Sequence, residues 1–227
     1  MMNDLVFLSS QQVDAEPFTT GDVIAKYAGI ARKSVNELIR RYKDDLEDFG
    51  VLPFEMAKPI KGSLGGHPRR VWYLNKNQAN LLITYLDNTK PVRQFKKALV
   101  RQFDAMQREL VERRAQFELG KQFSKSLHAT IAESQIKMHG HEYSTFNRLI
   151  YKQALGVDST KLRKARDIPK GEAITTYLSS DEAEAVRLVK NRVEVLLDVG
   201  MDYQQIKQAL QIKGVVYKVT LQLPVKN

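Results

Sequence analysis

The 227 residues include no cysteine. That absence removes disulfides, thiolate nucleophiles and the commonest zinc ligands together. Histidine is scarce as well, and only His139-Gly-His141-Glu142 gathers metal-ligand types. Zinc draws three or four ligands from defined positions, so this stretch reads as a linker turn, and no metal or cofactor is expected. No apolar run approaches the ~18–20 residues that span a bilayer, which argues against a membrane partner. Met1–Phe18 carries acids but no lysine or arginine, the reverse of a signal peptide. A cytoplasmic protein, bacterial or viral rather than secreted, is the expectation. Catalytic motifs are missing too. There is no Gly-x-Ser-x-Gly elbow, and Gly62-Ser-Leu-Gly-Gly66 lacks the Gly-Lys-Ser/Thr ending of a phosphate loop. The acids Asp44, Asp45, Glu47 and Asp48 are too contiguous to converge on one ion and read as a solvated face. The chain does not read as an enzyme.

What it has in excess is positive charge. Thirty-six lysines and arginines against 26 acids leave a net charge of +10, with a pI near 9.6. Such a surplus favours polyanions, nucleic acid above all. Hydrophobic residues make up 43% of the chain, enough for packed cores.

Gly21 to Arg40 reads as a helix-turn-helix. Val23, Ile24, Tyr27 and Ala28 supply the inner face of a first helix ending near Ala28, and Ala25 is small enough for a second helix to approach closely. Thr20 is the expected N-cap, and Asp22 suits the positive end of the helix dipole. Gly29 falls where the chain must turn sharply with positive φ, and Ile30 plugs the corner. Val35, Leu38 and Ile39 give the second helix its inward face. That helix is predicted to start near Lys33 or Ser34 and to reach toward Asp48. Its outer face carries Arg32, Lys33, Ser34, Asn36, Arg40 and Arg41. In this motif the second helix lies in the major groove of DNA.

A wing follows. Phe54–Ile60 and Arg69–Leu74 read as strands joined by the glycine-rich turn 61–66, with Lys58, Lys61, His67, Arg69 and Arg70 along the hairpin. Lys33, Arg41, Lys43, Lys58 and Lys61 are suited to neutralising phosphates. Asn36 with Arg32 or Arg40 can form paired hydrogen bonds to base edges. Upstream, Leu5–Leu8 is fit for a strand and Pro17–Thr20 for a turn. Downstream, Asn75 caps a helix with Ala79, Leu82, Ile83 and Leu86 inward.

From Val92 the apolar residues Phe95, Leu99, Phe103, Met106, Leu110 and Phe117 follow a heptad-like stripe. An antiparallel partner within the chain would cover it, but a coiled coil between copies is the favoured reading, which makes a homo-oligomer the expected state. Residues 139–227 read as a helical domain. It contains a helix through Phe146 closed by Gly156, a short basic helix after Asp158, a capping box at Ser179–Glu182 opening a long helix, and a last helix from Asp202. The basic segment Lys161–Arg166 reads as an ordinary exposed helix rather than a second nucleic-acid contact. Val215–Leu223 alternates as a strand would.

Several of these strings resemble the phage regulatory proteins of the Rha family: Thr19-Thr-x-Asp-Val-Ile-Ala-x-Tyr-x-Gly29, Val35-Asn-Glu-Leu-Ile39, Val71-Trp-Tyr-Leu-Asn75, Asn77-x-Ala-Asn-Leu-Leu82 and Phe95-Lys-Lys-Ala-x-x-x-Gln-Phe-Asp-Ala-Met106. The likeness covers about residues 18–115. It implies a DNA-binding regulator of temperate phages, at work in the cytoplasm of a bacterial host cell, with the second motif helix as reader. Where family members carry Lys-x-His before that helix, this chain has Ala31-Arg-Lys-Ser34, so Arg32 or Lys33 would take over that contact. Phe146-Asn-Arg-Leu-Ile-Tyr-Lys-x-Ala-Leu-Gly156 and Asp202-Tyr-x-Gln-Ile-Lys207 also resemble the C-terminal parts of phage antirepressor-like regulators.

The expected fold is α+β and mostly helical, in three parts. A winged helix-turn-helix spans 1–88, a long coiled-coil-like helix suited to oligomerisation spans 89–138, and a helical domain spans 139–227. The leading function is transcriptional regulation through double-stranded DNA. The alternative is an antirepressor-type factor that grips a phage or host regulatory protein through its C-terminal half.

Overall fold

The computed structural model describes residues 4–57 and 68–219. Two compact units, Met1–Glu109 and Leu110–Asn227, each enclose a core of their own. The architecture is α+β and mostly helical, with one small antiparallel sheet in the first unit.

In that unit the strands are β1 (Phe7–Leu8), β2 (Pro17–Thr20), β3 (Phe54–Ala57) and β4 (Arg69–Asn75), laid out in the order β1-β2-β4-β3. β2 corrects the expected turn. Thr19 is buried and its Oγ1 donates to the Leu5 carbonyl at 2.6 Å, while Phe18 and Thr20 pair with Asn75 and Tyr73 of β4. β-branched and aromatic residues suit a half-covered sheet, but the partner strand lies more than fifty residues away. β3 pairs with β4 from Phe54↔Trp72 to Ala57↔Arg69.

The helices α1 (Gly21–Ala28) and α2 (Arg32–Arg41) meet through Gly29 at φ 69°, the left-handed conformation glycine adopts without strain. Thr20 caps α1 by accepting from the Val23 amide. The second helix stops earlier than the apolar pattern suggests. At Tyr42 the backbone leaves helical geometry, and α3 (Lys43–Glu47) sets off anew. The break lets Leu46 enter the core and stacks Tyr42 on Tyr85, ring centroids 4.2 Å apart. α4 (Lys76–Thr84) opens on a reciprocal capping box between Asn75 and Gln78. Gln78 is buried and also ties down the preceding loop, its Nε2 donating to the carbonyls of Leu46, Gly50 and Val51 at 3.2, 2.9 and 3.2 Å.

The long helix α5 runs Lys90–Glu133. Its stripe is not a free coiled-coil seam, which corrects the favoured reading. Val92, Phe95, Leu99 and Phe103 are buried in the first unit's own core and Met106 packs against it. Leu127 and Ile131 are buried in the core of the second. A narrow apolar stripe marks any long helix laid across a core, and period alone does not say whose core.

The second unit adds α6 (Glu142–Leu155), α7 (Ser159–Ala165), a 3-10 turn (Ile174–Tyr177), α8 (Ser180–Asp198) and α9 (Tyr203–Ile212). Gly156 closes α6 at φ 76°, and Ser179 with Glu182 forms the expected capping box of α8. The tail is not a strand among the described residues. The amides of Val216, Tyr217 and Val219 instead donate to the carbonyls of Gln153, Ala154 and Leu155, at 3.2, 2.8 and 3.1 Å. These are end-of-helix carbonyls that have no partner within α6. Residues 220–223 of the expected strand lie outside the described residues.

Candidate nucleic-acid interface

The junction of α1, α2 and β4 is built around an atom that is not there. A Cβ at Gly21 would sit 3.2 Å from Ile39 Cδ1, 3.8 Å from Asn36 Oδ1 and 3.9 Å from Trp72 Cβ. Glycine therefore lets the start of α1 lie against both the second helix and the sheet. One residue on, the Asp22 carboxylate receives the Arg69 guanidinium of β4 and lies 3.8 Å from that of Arg32 at the start of α2. Its other oxygen, Oδ1, is buried with no hydrogen-bond partner among the described residues. Arg32 and Arg69, from separate elements, are thus gathered at one acid. The sequence marked Asp22 only as a favourable first-turn charge, because its partners lie 10 and 47 residues along the chain.

The remaining predicted contacts divide into three groups. Lys33, Ser34, Arg40 and Arg41 are exposed on α2. Lys33 faces Glu37 at 3.9 Å, a solvent-screened pair of little energetic weight. Arg40 and Arg41 fall in the last turn, where positive charge also suits the helix dipole. Asn36 is half-buried on the flank beside Gly21.

Lys43 belongs to α3, not to the reading helix, and is committed to Glu47 at 2.8 Å. On the hairpin, Arg70 is exposed and stacks over Phe54 and Trp72, its guanidinium carbon 4.6 and 5.9 Å from the ring centroids. Such stacking holds a guanidinium in place while leaving its edge open to an acceptor. Lys58, Lys61 and His67 lie outside the described residues.

A groove of about 1010 Å³ in the same unit is lined by Glu16, Phe18, Phe54, Glu55, Tyr73 and Gln78 among others, and among the described residues no lysine, arginine or histidine lies in its wall. Tyr73 donates to Glu55 at 2.7 Å, and that bond raises the phenol's pKa. The two described acids of this wall, Glu16 and Glu55, repel phosphate. Among the described residues no cluster of three His, Asp or Glu side chains could hold a metal ion, and no helix is long and apolar enough to cross a membrane.

Residues 19–108 match the family model of the phage regulatory protein Rha. The first unit carries a Rha domain. The match takes in α1, α2, the hairpin, α4 and the first half of α5, and it ends one residue before the boundary between the units. Comparison with curated proteins finds no match. The matched region therefore holds the helix pair, the hairpin and the Asp22 junction.

Proposed function

We propose that this chain is a phage regulator that acts on transcription by binding double-stranded DNA, with α2 as the reading helix and the β3–β4 hairpin as its wing. The observation that supports it most is the Asp22 junction, where Arg32 of the helix and Arg69 of the hairpin meet. Exposed Lys33, Arg40 and Arg41 on α2 and exposed Arg70 on β4 add to the positive charge of these two elements. Phosphate contacts from these bases supply affinity, and one or two side chains at the major-groove edge supply sequence preference. The site of action is then the cytoplasm of the host cell.

The test is a titration of the full chain against random and genomic duplex at two salt concentrations. Steep salt dependence is expected, with roughly tenfold or greater weakening when Arg40, Arg41 and Arg70 become alanine. A flat, feeble response, together with capture of a phage repressor by the full chain, would support the antirepressor reading instead.

A further inference from the structure

The face of α5 that points away from the core, within the Rha domain, carries five bases against a single acid. Lys90, Arg93, Lys97, Arg101 and Arg108 are exposed and spaced 3, 4, 4 and 7 residues apart. This places them opposite the buried Phe95, Leu99 and Phe103. From residue 88 to 103 there is no acid at all. The one carboxylate further along this face, Asp104, is paired with Lys76 at 2.9 Å. Among the described residues Lys90, Lys97 and Arg101 have no ion-pair partner. Arg93, Lys97 and Arg101 stand at successive i, i+4 positions, where like charges destabilise a helix. The rest of the same helix mixes its signs, with Glu109, Glu112, Glu118 and Glu133 among its bases. A solvated helix face would be expected to look like that second half throughout.

We infer that this stripe is a second duplex-DNA surface, a sequence-independent track for phosphates in addition to the α2 site; the inference rests on the DNA-binding reading of the Rha domain. At 1.5 Å per residue the stripe extends about 27 Å along a straight rod. Duplex DNA offers one phosphate every ~3.4 Å on each strand, a similarly stiff and regular array. Single-stranded nucleic acid is held on aromatic platforms, and this face has none. A membrane-surface helix needs its apolar side free for lipid, whereas here that side is in the core.

The experiment measures binding of the full chain to a random-sequence 30-base-pair duplex across a salt series. K90Q/K97Q/R101Q is the test variant. Arg93 and Arg108 are kept because they also donate to the carbonyls of Asn88 and Asp104. K125Q/K161Q/K164Q, exposed positions in the other unit, removes the same net charge as a control. The expected result is a flattening of log Kd against log salt by up to about 2.7, or about 0.9 per phosphate lost, with the control close to wild type. The melting temperature without DNA should not fall, since only exposed like charges are removed.

An unchanged slope, or an equal change in the control, overturns the inference. So does preferential loss of binding to single-stranded RNA or to an acidic protein rather than to the duplex. R40A/R41A separates this inference from the reading it rests on. If only the α5 variant weakens binding, the α2 reading fails and the track stands; if only R40A/R41A weakens it, the track fails alone. No duplex binding by the wild type removes both.

Discussion

Each unit sets an arginine against an acid in the first turn of a helix, and the two pairs differ in what they leave available. Glu182, in α8, has a side chain only 7% exposed. It takes both Arg166 nitrogens, one at 2.9 Å, and also accepts from the Ser179 amide at 3.0 Å, while Arg166 itself is 22% exposed. Asp22, in α1, is 25% exposed, and its partners Arg69 and Arg32 are 40% and 48% exposed. The first arrangement uses up the arginine in holding a loop against a helix. The second gathers two guanidiniums and leaves much of each facing water. Similar chemistry closes a fold in one place and displays charge in the other, with depth as the difference.

Three measurements would break or sharpen that contrast. The largest effect should come from Arg166→Ala, which leaves Glu182 buried and uncompensated. Unfolding followed by hydrogen exchange in α8 should show a loss of about 3 kcal/mol with duplex affinity unchanged. A loss below ~1 kcal/mol would remove the distinction between the two pairs.

Next comes Lys190, a buried base whose Nζ donates to Ser124 Oγ at 2.5 Å, and whose pKa burial lowers from 10.5 to about 8. Below pH 8 the amine is charged in folded and unfolded chains alike, and the folded state bears the whole burial penalty. Between pH 8 and 10.5 the unfolded chain holds the extra proton, so stability rises with pH until the penalty has gone. Lys190→Met should therefore stabilise the second unit by up to about 3 kcal/mol at pH 7. Its advantage over wild type should fade as pH climbs through that window; an advantage independent of pH would contradict the burial argument.

The smallest effect is expected from Asp22→Asn. Stability should change by less than ~1 kcal/mol, because the pairs are exposed. Affinity for random duplex should rise roughly threefold as two guanidiniums lose their neutralising acid. Weaker binding would mean that Asp22 matters for placing the arginines more than for offsetting them.

Local chemistry made much of the fold legible. The Thr20 cap, the Gly29 turn, the Asn75 cap and the Ser179–Glu182 box each depend on residues within a few positions, and each is where the sequence placed it. The failures all depend on distant partners. β2 needs Leu5 and β4, the break at Tyr42 serves the burial of Leu46, and the destination of the α5 stripe is set by two separate cores. The candidate site divides the same way. Exposed bases on α2 followed from helical spacing, whereas Arg32 and Arg69 meeting at Asp22 and Arg70 stacked on Phe54 required the hairpin to be folded first. The segment Lys161–Arg166, expected to be an ordinary exposed helix, is so only at Lys161 and Lys164. Arg163 donates to the carbonyls of Pro169 and Glu172, and Arg166 is held by Glu182.

The link between the tail and α6 sets an order of events during synthesis. The first unit has every buried residue of its core in hand once Phe103 has been made. In the second, three carbonyls ending α6 wait for amides that arrive about sixty residues later, at Val216 to Val219. Until then only water can satisfy them. On a ribosome emitting ~5–20 residues per second, that is a delay of several seconds, during which one half of the protein can be finished while the other is still open at a seam.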